Sequence, residues 1–501
     1  MPIKQLTMKN IYLIIFSLVY LNTSFSISQV QLGQNIWGDS HQDRFGAALS
    51  IANSDGTLAV GAYRADDNGV ESGLARVFQF DGNLWNQVGN DLIGDSAGDW
   101  MGYSIDLNDD GQIFVVGAPR SNDNGVVRVY QWNESINDWE QLGQDIIGEN
   151  IGDNFGFSCS INSAGDIVAA SGPFNSDSGN ESGSTRVFQY NGSSWNQLGQ
   201  DLDGEYDEEN SGNSVALSSN GYILSIGAGH NSEFGFEIGQ NRVYSYNLSS
   251  NSWIQTGQDI NGEGPSLDHF GYSNSISSDG YTIAVGAPHN NIQNGTDIGH
   301  VRVFKFDGLN WVQVGMDIDG VGNGNAGWDV SISGDGSILI LGSPTSSPNG
   351  GSSGKAIIYQ LDSNNWNPIG TINGLSQEDY LGACTDINRA GTKVAVSSTL
   401  ANDSSGQLTG LVQVFDLQSL LNISDITADP KLVFFPNPSN SIIKLNAEKN
   451  YKIQLFDING KLLYENIGNS LDISKFDNAL YIVKLFDLIS NRSIDLKVIK
   501  N

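Results

Sequence analysis

The chain has 501 residues, 60 of them Gly and only 2 Cys, with 24 basic and 56 acidic side chains. Gly at about 12 % against an average of roughly 7 %, with short apolar runs set between Gly, Asn, Asp and Ser, excludes a helical protein and points to an all-β chain rich in tight turns. Residues 29–421 hold 12 basic and 47 acidic side chains, about −35, a surface that repels nucleic acid and anionic lipid and tolerates cations and salt.

In chain order, residues 1–28 read as a secretory signal peptide. Lys4 and Lys9 flank an apolar run at 11–21 that is too short to span a bilayer comfortably, and Ser26-Ile-Ser28 offers small residues for cleavage before Gln29. No later segment is apolar enough to cross a membrane. The two cysteines, Cys159 and Cys384, lie four repeats apart and read as buried thiols without metal-binding spacing.

From residue 29 a five-residue word, Trp-x-Gln-x-Gly, recurs at 85–89, 139–143, 195–199, 253–257 and 311–315. A worn copy stands at Trp366-Asn-Pro-Ile-Gly370, and a copy without Trp opens the series at Gln31-Leu-Gly33. A period of 54–58 residues means one supersecondary unit repeated many times. One unit reads as strand A (268–277), a Ser-Asp-Gly turn, strand B (281–288), a long polar loop, strand C (301–306), an Asp-Gly turn and strand D (311–318). Four antiparallel strands per unit make a propeller blade. The first D strand, 29–36, precedes any A strand, and the last C strand, 411–415, has no D strand after it. The expected fold is therefore a seven-bladed β-propeller over 29–416, closed by the N-terminal strand, which pairs two edges that would otherwise be exposed. Recurrence of the Trp in nearly every unit marks it as a packing residue.

The pairs Phe45-Gly46, Met101-Gly102, Phe155-Gly156 and Phe270-Gly271, with Gly61-Ala62, Gly117-Ala-Pro119 and Gly286-Ala-Pro288, resemble the FG-GAP repeats of integrin-α-type propellers. That resemblance implies the fold and leaves the task open. Integrin-type blades often carry a calcium loop between strands A and B; here those loops, such as Asn108-Asp-Asp-Gly111, are too short to supply six or more oxygens. Calcium in the Asp/Asn-rich B–C loops is the one cofactor that the composition allows.

Two further patterns repeat. An acid stands two residues before the Phe-Gly position (Asp43, Asp99, Asp153, Glu209, Asp268, Asp379), and strand C carries Arg76, Arg128, Arg186, Arg242 and Arg302. Since a buried Arg needs a partner, these two sets are expected to pair. The residues just after strand B do not repeat: Arg64, Arg120, Phe174, His230, His289, Thr345 and Leu400. Scaffold positions repeat and these differ, so Arg64, Arg120, Phe174, His230, His289 and Thr345 are the candidate ligand-binding residues. No nucleophile elbow, zinc-protease motif or phosphate loop is present, so no catalytic residue and no metal ligand set is assigned.

Beyond a linker at 417–431, residues 432–501 carry Phe434-Phe435-Pro436-Asn437-Pro438, then two alternating strands around Asn459-Gly460, then Leu471-Asp-Ile-Ser474 and Ala479-Leu-Tyr-Ile-Val-Lys-Leu485. This tail resembles the type A C-terminal sorting domain of the type IX secretion system, a small β-sandwich. The resemblance implies engagement of that secretion machinery, passage across the outer membrane and release or attachment at the cell surface. The expected function is a secreted or surface-attached binding or adhesion protein for an extracellular glycan or protein, without catalysis. The alternatives are a polymer-degrading enzyme with its site in the propeller mouth and a structural surface protein.

Overall fold

A computed structural model describes residues 30–417 apart from 54–55, 265–266 and 292–296, together with 434–435, 442–445, 451–456, 462–476, 480–487 and 493–499. The expected signal peptide, and 418–431 of the expected linker, lie outside the described residues. The protein is all-β; a 3-10 turn at Ser121–Asp123 is the one helical element among the described residues.

Seven antiparallel sheets form between Val30 and Asp416. They are numbered here by their A strands, which begin at Ala48, Ser104, Ser158, Ser214, Ser273, Val330 and Leu381. The first sheet is typical, with Ala48–Ile51, Thr57–Ala62, Leu74–Phe80 and Trp85–Gln87 paired in that order. Each A strand touches the next, and the seventh touches the first, so the sheets stand in a closed ring with their A strands at the axis. The B strands Thr57–Ala62, Ile167–Gly172 and Thr282–Ala287 are buried at every position, which is why they read as continuous small and apolar runs and not as alternating ones.

Closure follows the expected route. Val30–Gln31 pairs with Asp416 and Phe415, and Ile36–Trp37 pairs with Val412 and Leu411. The strand that begins the described chain is thus the outer strand of the seventh sheet. A second circuit runs through the A–B turns. Backbone N–H groups of Asn53, Asp109, Ser163, Ser219, Ser278 and Gly334 each donate to the carbonyl of the equivalent residue in the next sheet, at 2.8–3.4 Å. The Ala390 N–H completes the circle on the side-chain oxygen of Asn53 at 2.8 Å.

The repeated words are the joints of this ring. Each Trp donates its indole N–H to the preceding sheet, to the carbonyl just before that sheet's Gly: Trp85 to Leu32, Trp139 to Val88, Trp195 to Leu142, Trp253 to Leu198, Trp311 to Thr256 and Trp366 to Val314, at 2.7–3.1 Å. The Gly that follows lies directly under the ring; a Cβ on Gly199 would stand 2.7 Å from Trp253 Cδ1. The FG-GAP words make the inner joint. A Cβ on Gly117 of one sheet would fall 2.0 Å from the carbonyl oxygen of Gly156 in the next, and Gly61 meets Gly102 in the same way. Only a residue without a side chain permits this backbone approach.

In the tail, Phe434–Phe435, Ile442–Leu445 and Ser470–Asp472 form one sheet, and Leu462–Gly468, Tyr451–Phe456, Leu480–Asp487 and Ser493–Ile499 form another. A shared apolar core of Ile443, Leu445, Ile453, Leu455, Leu471, Val483 and Leu485 makes the expected β-sandwich. The Asn459-Gly460 turn lies outside the described residues.

Two stability outcomes follow from the joints. Ile36→Ala, in the closing strand at 5 % exposure, lowers stability by about 2–5 kcal/mol, and deletion of residues 29–36 lowers the melting temperature of the whole ring in one cooperative transition. Gly117→Ala costs more than about 2 kcal/mol by overpacking, whereas Gly82→Ala, with open space around it, costs only the roughly 1 kcal/mol of its left-handed backbone. Equal costs in a denaturant titration would show that the joint tolerates a methyl group.

Candidate functional site

The central channel is lined by one side chain from the middle of each A strand. Ser50, Asp106, Ser160, Ser275, Ser331 and Asp386 each accept a hydrogen bond from a backbone N–H of the following A strand: Leu107, Ile161, Leu217, Ile332, Ile387 and Ile51, at 2.8–3.2 Å. The inner strands do not pair as a sheet, and these side chains satisfy the N–H groups that would otherwise be orphaned. Arg389 crosses the floor of the channel, with Nε 2.6 Å from Asp109 Oδ1 and Nη1 donating to Ser219 at 2.8 Å. The cavity is about 190 Å³, polar in its lining, and smaller than the roughly 300–1,000 Å³ typical of small-molecule sites. Burial and the charges of Asp106 and Asp329 push the Asp386 carboxyl up to about 7; burial alone leads for Asp329, at about 6, and for Asp106, also raised.

The opposite end of the ring is built from the D–A and B–C loops. Seven equivalent residues there, one in front of each Phe-Gly-type pair, have left-handed backbone: Arg44, Trp100, Asn154, Asn210, His269, Asn325 and Tyr380, at φ of 50–60°. Asn and His are enriched in this conformation; Arg, Trp and Tyr carry strain in it. The residue after the pair is Tyr103, Phe157, Tyr272 or Trp328 in four sheets and Ala47, Asn213 or Ala383 in the others.

These positions join the expected site residues in two arcs. In the first, Tyr63 packs edge-on against Trp100 and Tyr103 at 5.3 and 5.2 Å, Trp100 stacks on Tyr103 at 5.7 Å, and Phe157 links Tyr103 to Phe174. The Arg120 guanidinium lies 3.4 Å from the Trp100 ring centroid. Arg64 stands 3.6 Å from Glu71, which also accepts the Trp100 indole N–H at 3.0 Å. In the second arc the rings of His230, His269 and His289 stand 4.8 Å apart in series, and His289 meets Trp328, which meets Tyr272. Thr345 belongs to neither arc: its hydroxyl is spent on the Asn323 carbonyl at 2.8 Å and on Asn325. Trp100, Tyr103, His269, Tyr272 and Trp328 escape a sequence reading because they flank the scaffold word Phe-Gly. Their differing identities at fixed offsets from it are the signal that finds them.

The expected acid–Arg pairing is corrected in most sheets. Arg242 alone pairs with its repeat acid, Glu209, at 2.9 Å. Arg76 binds Asp91 and Asp39, Arg128 binds Asp145 and Asp95, Arg186 stands near Glu149, and Arg302 binds Glu263. The repeat acids instead accept N–H groups of their own loop: Asp99 from Ser96, Asp153 from Asn150, Asp268 from Gly264 and Asp379 from Ser376. Capping wins because each acid lies four residues or fewer beyond the N–H it serves. Both cysteines are free, and burial pushes the Cys159 thiol up to about 12.

Comparison with known proteins agrees with the two parts. A family model for the FG-GAP repeat matches residues 39–78, and one for the secretion system C-terminal sorting domain matches residues 433–501. The chain carries an FG-GAP repeat and a type IX secretion sorting domain. No curated protein matches it. Among solved structures, a periplasmic gluconolactonase of Pseudomonas aeruginosa is 16 % identical, with TM-score 0.46, over 72 % of this chain and 96 % of its own. PorZ, described as a surface component of the type IX secretion system of Porphyromonas gingivalis, is 11 % identical with TM-score 0.25, over 95 % of this chain and 75 % of its own. The sorting domain makes this β-propeller protein a secreted protein of the outer cell surface that engages the type IX machinery. Among the described residues no helix is long and apolar enough to cross a membrane.

The channel carboxylates give a pH signature. A carboxyl raised in the folded state contributes stability below its unfolded pKa of about 4 and loses it as pH rises through the folded value. For Asp386 that window runs from about 4 to about 7. Asp386→Asn removes this titration, so the fall in melting temperature between pH 5 and pH 8 is smaller in the variant than in the parent. An identical pH profile would show that Asp386 titrates normally.

Proposed function

We propose that the propeller is an extracellular recognition module, binding a glycan or protein partner through the face formed by its D–A and B–C loops. One observation carries this reading. At a backbone position that favours Asn or His, and has one of them in four sheets, the other three place Arg44, Trp100 and Tyr380 in left-handed conformation. Strain of this kind is retained where a side chain serves a task other than folding. Around Trp100 the residues Tyr63, Tyr103, Phe157, Phe174, Arg64 and Arg120 supply ring faces and guanidinium donors, the groups that recognition surfaces favour.

The rival reading, an enzyme working in the channel, has the raised carboxyls of Asp386 and Asp329 in its favour. Those of Asp106 and Asp386 are bonded to neighbouring strands through both oxygens, which supports a structural role.

The test is a screen of the mature chain on arrays of extracellular glycans and matrix proteins, with Trp100→Ala, Phe174→Ala and, on the opposite end of the ring, Ile136→Ala. Loss of Trp100 or Phe174 weakens binding by about 10-fold or more, as for a hot-spot side chain, and Ile136→Ala leaves it unchanged. Binding that ignores both face variants rejects the reading. Release of fragments from a polymer substrate, abolished by Asp386→Asn, would establish the enzyme instead.

A further inference from the structure

We infer that His230, Glu237 and His269 form a binding site for a divalent transition-metal ion of the zinc class, where the fourth and fifth sheets meet on the loop face. Three of the five histidines of the chain gather here. One ligand atom from each of His230, Glu237 and His269 lies within 4.8 Å of the other two. His269 Nε2 and Glu237 Oε2 are 3.0 Å apart, close to the edge of about 3.3 Å that bonds of roughly 2.0–2.1 Å make in a tetrahedral zinc site. The third ligand closes the remaining distance by rotation about its side-chain bonds.

An ordinary hydrogen-bonded pair accounts for part of this arrangement. Between the first and second sheets Trp100 donates to Glu71 at 3.0 Å in the same relation, with no ion needed. The fourth and fifth sheets differ in two respects. Imidazole replaces indole at 269, adding a lone-pair donor, and His230 brings a buried Nδ1 with no hydrogen-bond partner. An unpaired buried nitrogen is costly, and an ion supplies what it lacks. His289, whose ring centroid stands 4.8 Å from that of His269 and whose Nδ1 is 3.1 Å from Asp297, has the carboxylate-oriented form of a metal-site histidine.

Two imidazoles and one carboxylate select zinc, cobalt, nickel or copper over calcium, which takes six or more oxygens. The acidic surface of residues 29–421 raises the local concentration of any divalent cation. This is a different ion and a different set of residues from calcium in the Asp/Asn-rich B–C loops.

The test uses the tag-free mature chain, stripped with chelator and titrated calorimetrically with Zn²⁺, then with Co²⁺ to record the absorption of a four-coordinate complex. The expected result is one ion per chain, a rise in melting temperature with Zn²⁺ and none with Ca²⁺. His269→Asn places at 269 the residue that Asn154, Asn210 and Asn325 supply elsewhere, so it folds. It and Glu237→Gln each weaken Zn²⁺ binding by more than the roughly 10–100-fold that loss of an outer-sphere partner costs. The proposal is overturned if the parent binds no stoichiometric ion or if binding is unchanged in both variants. Loss confined to His300→Gln also overturns it, by moving the ion to the group His300, Asp317 and Asp319.

Discussion

Neighbouring sheets of the ring meet through backbone. The carbonyl of Gly156 occupies the place where a side chain on Gly117 would be, and Gly102 stands in that relation to Gly61, Gly327 to Gly286 and Gly382 to Gly342. This contact sets how far one sheet stands from the next, and the indole clasp at the outer edge repeats the constraint at a second radius. With both radii held, the A–B turns fall at hydrogen-bonding distance from one another and link into a circle. Circular linkage ties each sheet to the next at its inner end, and the one break in the covalent order is mended by Val30–Gln31 and Ile36–Trp37.

This dependence explains what could be read in advance. Residues that serve the joints recur at a fixed period, so strand order, closure by the N-terminal strand and the packing role of Trp were all legible. The acid–Arg expectation failed although both partners also recur. The competing acids Asp91, Asp145 and Asp317 recur just as regularly two residues beyond the Gly of the Trp word, in the short break between two strand segments that both pair with the Arg-bearing strand. Sequence spacing alone did not rank the two candidates. The loop face was half legible: the positions after strand B stood out because they differ, and Arg64, Arg120 and Phe174 do join one arc. His269 and Trp100 were hidden because they sit inside a scaffold word, between a capping acid and the Phe or Met of the joint.

The formal charge of the propeller overstates the field outside it. Asp43, Asp99, Asp153, Glu209, Asp268 and Asp379 are buried in the loops they cap, and burial pushes the Asp43 carboxyl up to about 6. Asp106 and Asp386 are enclosed in the channel, and Asp329 is buried against Thr385. These nine of the 47 acids in residues 29–421 are therefore structural, spent in part on backbone N–H groups that helices would otherwise satisfy. What remains on the outer loops keeps the protein soluble and favours cations over phosphates.

The capping acids also bear on how a recognition face can vary while the ring persists. Each acid fixes its loop from one side and each Phe-Gly-type joint fixes it from the other, so the residue between them is held in left-handed backbone whatever its side chain. The cost of a non-Asn residue there is local, about 1 kcal/mol, and is borne by a ring whose joints are elsewhere. A side chain at this position can change from Asn to Trp, His, Tyr or Arg without altering the glycine and indole joints between sheets. Rigid framing of a freely variable residue, repeated around one mouth, is how a fold built almost wholly from repetition comes to present a face on which neighbouring sheets differ, with aromatic rings beside Trp100 and imidazoles beside His269.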